Sequence, residues 1–152
     1  MAACVDFSET SIRTVHRAAE IAVQDGAELC LMHVFQPASY KDSGIGWLGA
    51  RFSKVDEGEV KAAKEEELNA IRDELLATYD LENIAMVVEA APNVARGLFL
   101  NLKSIDADLV VLGTRGRTGL KGFFLGTTAE SLIQTTPCST LAVKPVEFLE
   151  AS

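Results

Sequence analysis

Residues 113–130 read GTRGRTGLKGFFLGTTAE, and five of the chain's eleven glycines fall there: Gly113, Gly116, Gly119, Gly122 and Gly126. Glycine permits φ > 0, lets backbone N–H groups converge, and lets a ligand approach the main chain. The run follows an apolar strand and precedes a helix whose positive end, near Gly126, faces whatever the loop holds. Thr127 and Thr128 add hydroxyl donors, and Arg115, Arg117 and Lys121 add local positive charge. A phosphate group is the ligand this chemistry suits, and a surface turn is the competing reading. The run contains neither G-x-x-x-x-G-K-[ST] nor G-x-G-x-x-G, so it is neither a Walker A loop nor the dinucleotide fingerprint.

Other residues offer less. His16 and His33 have no second ligand at metal spacing, which favours structural roles. Ser8 and Ser11 form no nucleophile–base pair with them. Cys4, Cys30 and Cys138 lie far apart with no C-x-x-C pair. An odd, sparse count suits a reducing cytoplasm and small buried side chains rather than disulfides.

The loop must be positioned by alternating strands and helices. Ala2–Val5 reads as strand one. Helix one is expected from about residue 9 to 24, with N-cap residues at Ser8–Ser11, an apolar face of Ile12, Val15, Ala19, Ala22 and Val23, and Gly26 at its end. Leu29–Phe35 is strand two. A long helix over Val55–Tyr79 carries a stripe of Val60, Ala63, Leu68, Ile71, Leu75 and Tyr79 opposite an acidic, solvated face. Ile84–Glu89 is strand three, and Ala95–Ser104 is helix three with Val94, Leu98, Leu102 and Ile105 inward. Leu109–Leu112 is strand four, Thr128–Gln134 helix four and Thr140–Val143 strand five. Val146–Ser152 is a tail. Residues 37–54, with Trp47, show no period, and a loop of that length is often a lid or a binding loop.

The β-α-β-α-β-α-β-α-β order implies an α/β fold, a doubly wound parallel sheet with helices on both faces. Such sheets bind ligands beyond the carboxyl ends of the strands, where the strand order reverses. The 152 residues suit one domain over 1–152. A net charge of −8 argues against nucleic acid as a partner. No apolar stretch reaches the roughly 18 residues of a membrane span. The opening MAACVDFSET lacks a signal peptide's basic and apolar regions.

These motifs together resemble the universal stress protein family. The spacing Gly113-x2-Gly116-x9-Gly126-Thr127 matches its G-x2-G-x9-G-[ST] element. Val5-Asp6-Phe7-Ser8 is similar to its V-D-x-S opening, and Leu31-Met32-His33-Val34 to L-x-H-V. Residues 106–113 (DADLVVLG) are similar to A-D-L-I-V-x-G, and residues 137–143 (PCSTLAV) to the last strand. Three departures are a short lead into strand one, Ala90-Ala91-Pro92 where a Gly-x-Pro turn is usual, and the loop 37–54 with Trp47, which the family pattern lacks. The H-I-G-H signature of related nucleotidyl-transferring enzymes is absent.

The resemblance implies strand order 3-2-1-4-5 and an adenine nucleotide alpha hydrolase-like fold. It implies binding of ATP or another adenine nucleotide, with Mg. Asp6 would contact the ribose or adenine, Val34 the adenine through its backbone, and Leu112 and Gly113 the ribose and phosphates. Gly116, Gly126, Thr127 and Thr128 would hold the phosphates, with Arg115 as a further contact. Outside what the resemblance implies, Trp47 would cover the adenine or pack under its own loop. A homodimer through Thr140–Val143 and an unidentified protein partner are implied too. The expected function is a cytoplasmic, regulatory ATP-binding module in stress response. The alternatives are a slow Mg-dependent ATPase or autophosphorylating protein, and a dimeric scaffold without nucleotide. No residue offers a strong general base, so binding is expected over turnover.

Overall fold

The computed structural model describes residues 1–37, 56–115 and 125–146. The expectations on Trp47, Gly116, Arg117, Lys121 and the last six residues therefore lie outside the described residues. Five strands, β1 (Ala2–Cys4), β2 (Leu29–Phe35), β3 (Ile84–Ala90), β4 (Leu109–Gly113) and β5 (Ser139–Val143), form one parallel sheet in the order β3-β2-β1-β4-β5. Four helices connect them: α1 (Glu9–Asp25), α2 (Glu57–Thr78), α3 (Val94–Ser104) and α4 (Thr127–Thr135). The observed order is the one expected.

Side chains alternate across the strands and divide the core into two layers. Leu29 and Leu31 of β2 pack with α1 and α2, through Val15, Ala19, Leu68 and Leu75. Met32 and Val34 face the other way, toward Leu98 and Leu102 of α3 and Leu132 of α4. A slip of one residue in β2 would exchange these faces, so both cores hold the register.

Side-chain caps fix where three helices start. Ser8, Asp56 and Asn93 accept the backbone N–H of Ser11, Gly58 and Arg96, and start α1, α2 and α3. Gly26 ends α1 in the left-handed region, at φ 61°. Strand β1 is one residue shorter than expected. Val5 still donates its N–H to the Met32 carbonyl, but Phe7 then takes φ 60° and turns the chain into α1.

Three apolar residues are not where the helical pattern put them. Val23 is exposed because the buried face of α1 runs through Thr14, Val15, Ala18, Ala19 and Ala22. Ile105 is exposed because it caps α3 outside the helical geometry, at φ −93° and ψ 5°. Ala63 is exposed, and α2 meets the sheet through Leu68, Ile71, Leu75 and Tyr79.

The small residues of α1 have a packing reason. A Cβ on Gly113 would lie 2.9 Å from Thr10 Cγ2 and 3.4 Å from Thr14 Oγ1. Gly113 lets α1 settle against the end of β4. Gly113→Ala should therefore cost about 1–3 kcal/mol through overpacking. The thermal midpoint should fall, and Thr10→Ser, which removes the crowded methyl, should recover part of the loss in a double-mutant cycle. Additive effects of the two changes would contradict this packing account.

His33 is a buried polar residue on the α1/α2 side of β2. Burial pushes its ring below the ordinary value near 6.5, and Lys64 acts the same way. The hydrogen bond to Val5, Glu67 and Asp6 oppose the shift. The unfolded chain then takes up the proton first as pH falls. The stability set by the neutral ring is complete above about pH 6.5, and is lost as pH drops through the lower native value. Urea midpoints measured from about pH 7.5 to 5.5 should fall more steeply for the wild type than for His33→Asn, which cannot titrate. Parallel profiles would contradict this.

Candidate functional site

A cleft opens at the carboxyl ends of β1, β2 and β4, and the residues expected to bind a ligand converge on it. Asp6, Val34, Leu112, Gly113, Arg115, Gly126, Thr127 and Thr128 all line it. Gly116 lies outside the described residues. The cleft holds about 170 Å³. One water needs roughly 10–15 Å³ on this measure, so the space suits a ligand far larger than water.

Its back wall is apolar. Val34 and Leu112 come from the sheet, Val94 and Leu98 from α3, and Ala129 and Leu132 from α4. Its rim is polar, with Asp6, Thr114, Arg115, Thr127 and Thr128, and the buried Ser11 adds a further polar group to the lining. An apolar seat with a few convergent polar groups is the usual form of a small-molecule site.

The glycine-rich loop is closed at its base by two backbone bonds. Thr114 donates its N–H to the Val143 carbonyl, and Gly126 donates its N–H to the Thr114 carbonyl, each at 2.9 Å. The second bond sets Gly126 as N-cap of α4. Among the described residues no side chain caps α4. Its first-turn N–H groups, which a helix cannot satisfy internally, sit where Thr127, Thr128 and Ala129 line the cleft.

The described glycines here do not use the left-handed freedom that the sequence suggested for them. Gly126 has φ −63°, and Gly26 is the sole described glycine with positive φ. Gly113 instead admits α1. Gly97 on α3 has a similar use that sequence reasoning missed. A Cβ there would lie 2.7 Å from Val34 Cγ1 and 2.9 Å from the Ala91 Cβ. Gly97 therefore sets how closely α3 approaches Val34 and hence where that wall stands. A glycine inside a helical pattern was the available signal.

Asp6 is partly committed. Its Oδ1 accepts from the Ser8 backbone N–H at 3.0 Å and from Ser8 Oγ at 2.5 Å. Ser8 Oγ in turn accepts from Ser11 N at 3.2 Å. The carboxylate is thus fixed by the cap of α1 through Oδ1.

Cys4 lies in β1 and also lines the cleft, which sequence reasoning missed. Burial, with Cys138, Cys30 and Asp6 adding to it, pushes its thiol up to about 12, so it is an apolar lining group and not a nucleophile. All three cysteines are free, and Cys138 lies just before β5 rather than in it. His16 Nδ1 meets the Tyr79 hydroxyl at 3.1 Å, and its Nε2 lies 3.5 Å from Glu74. Among the described residues, no group of three or more His, Cys, Asp or Glu could hold a metal ion. No described helix is long and apolar enough to cross a membrane.

Comparison with known proteins agrees with the fold. The model of the universal stress protein family matches residues 1–144. Universal stress protein A homolog 1 of Coxiella burnetii is 27% identical over 93% of this chain and 92% of its own length. The chain spans 14% to 27% of the universal stress protein E relatives from Haemophilus influenzae and Salmonella typhi. Among solved structures, a universal stress protein in complex with cAMP is 20% identical, with TM-score 0.67 over 94% of each chain. The Archaeoglobus fulgidus universal stress protein in complex with dAMP is 19% identical, with TM-score 0.65 over 94% of this chain and 95% of that one. On the match to residues 1–144, borne by the parallel 3-2-1-4-5 sheet, this chain belongs to the universal stress protein family.

Proposed function

We propose that residues 1–152 act as one regulatory, cytoplasmic ATP-binding domain in stress response, whose nucleotide occupancy modulates a homodimer and a protein partner. The observation that carries this reading is the apolar cleft ending at the uncapped N-terminus of α4, with Arg115 at its rim. An adenine ring suits the wall of Val34, Val94, Leu98 and Leu112. Phosphates suit the first turn of α4, where N–H groups and the helix dipole favour an anion. Gly116, in the motif, joins Gly126, Thr127 and Thr128 as a phosphate contact. Relatives bound to cAMP and dAMP support an adenine nucleotide as the ligand class.

The donor set bears on Mg. Asp6 is the one carboxylate among the described residues lining the cleft, and Oδ1 is already engaged. Mg ions commonly bind one or two carboxylates plus substrate phosphates. Asp6 Oδ2 and the hydroxyls of Thr127 and Thr128 fit a minor share of such a shell, so the ion arrives with the nucleotide. When bound it would neutralise phosphate charge.

A slow ATPase or autophosphorylation is the second reading. It is favoured by the exposed hydroxyls of Thr127 and Thr128 at the cleft. A dimeric scaffold without nucleotide is the reading that a failure to bind would leave.

Dimerisation is proposed through β5, an edge strand. Ser139 donates to the Asp108 carbonyl and Val143 accepts from Thr114. In a parallel ladder, alternate residues bond to the same side, so the N–H and C=O of Thr140 and Ala142 point to the free edge.

Calorimetry with ATP and Mg should detect binding. Gly126→Asp should lower affinity by at least roughly tenfold, because it places a carboxylate where phosphate binds. The same change supplies a good N-cap, so the thermal midpoint should hold or rise. Unchanged affinity would overturn the assignment of α4. Product assays separate turnover from binding. Ala142→Pro removes an outward N–H without touching the ladder to β4, and should yield monomer in sedimentation. An unchanged dimer would overturn the β5 contact, and a wild-type monomer would overturn dimerisation itself.

A further inference from the structure

We infer that His33 is a positioning residue for the cleft, fixing the carbonyl that precedes Asp6 from the opposite face of the sheet. Its Nδ1 lies 2.7 Å from the Val5 carbonyl oxygen. That carbonyl can only accept, so Nδ1 carries the proton and donates. Nε2 is buried with no partner among the described residues. The ring's hydrogen bonding therefore goes to Val5, the residue before Asp6.

The ring also holds the residue after Asp6. Phe7 sits at φ 60°, in a region costly for a side chain of its size. Its ring centroid is 4.6 Å from that of His33, and Lys64 Nζ lies 4.7 Å above its face. Phe35 also stacks on His33, at 6.0 Å. Val5 and Phe7 are thus both anchored on the α1/α2 side, and Asp6, between them, lines the cleft. The adjacent residues His33 and Val34 divide the work: Val34 forms the wall and His33 aims the carboxylate.

The ligand part of this inference rests on the nucleotide reading of the cleft. The test compares two variants. His33→Phe keeps an aromatic ring in contact with Phe7 and Phe35 but has no donor. His33→Asn loses the ring but keeps a donor near the position of Nδ1. A purely structural role predicts that Phe is tolerated better than Asn, and a positioning role predicts the reverse.

Two readouts are taken. The first needs no ligand: the amide proton shift of Ser8, whose N–H donates to Asp6 Oδ1. It should match the wild type in His33→Asn and move in His33→Phe. The second is affinity for ATP with Mg. His33→Asn should stay within about threefold of wild type, and His33→Phe should bind roughly tenfold more weakly. A His33→Phe chain that binds as tightly as wild type overturns the inference. If the wild type binds no nucleotide, the reading of the cleft fails instead, and the Ser8 resonance alone decides, an unmoved signal overturning the positioning. If His33→Phe does not fold, the wild-type ring decides by nitrogen NMR. A protonated Nδ1 with a bare Nε2 supports the inference, and the opposite tautomer overturns it.

Discussion

The site depends on β1 pairing with β2 on one side and β4 on the other. Ala2 and Ala3 are in register with Cys30 and Leu31 of β2, and with Val110 and Val111 of β4. Both small residues are fully buried. The chain builds outward from β1 in two directions, to β3 and to β5. The connections leaving the carboxyl ends of β1 and β4 therefore part company, and a crevice forms between them. Asp6 stands on one lip and Thr114 and Arg115 on the other. The cleft follows from strand order before any side chain is chosen.

Close packing then shapes the crevice. Gly113 admits Thr10 and Thr14, which seats α1, and Ser8 at the start of α1 holds the Asp6 carboxylate. Gly97 admits Val34, which seats α3. The Thr114 carbonyl holds the Gly126 N–H, which seats α4, and Gly126 as N-cap offers that helix no side chain. Side chains cap the other three helices. The one left open is the one whose first turn faces the cleft. Such a local departure from good capping is the kind that marks functional sites.

Much of this was legible in the residues. The apolar runs of β2 and β4 gave themselves away as strands buried on both faces, and the alternation of elements implied a doubly wound parallel sheet, while its order came only with the family resemblance. The run from Gly113 to Thr128 located the cleft, because a glycine-rich turn after a buried strand carries a physical meaning. The reasons for individual glycines were not legible. Local sequence suggested left-handed backbone, whereas Gly113 and Gly97 answer to residues far along the chain. Val94 and Leu98 were missed as cleft residues for the same cause, since their contribution exists only once α3 lies across the sheet, and Cys4 was missed because its strand end faces the cleft only in the folded sheet. Val23 and Ile105 show the limit of periodicity: a helical pattern cannot say where a helix stops facing the core.

In the proposed function the first turn of α4 and the wall at Val34 hold the two ends of one adenine nucleotide. An amide NMR titration with ATP and Mg tests it most directly. Saturable shifts are expected at Thr127, Thr128, Ala129, Arg115 and Val34, all with one dissociation constant. The outer face of α2, across the sheet, should stay still. Saturable shifts confined to α2, or none at the first turn of α4, would contradict it.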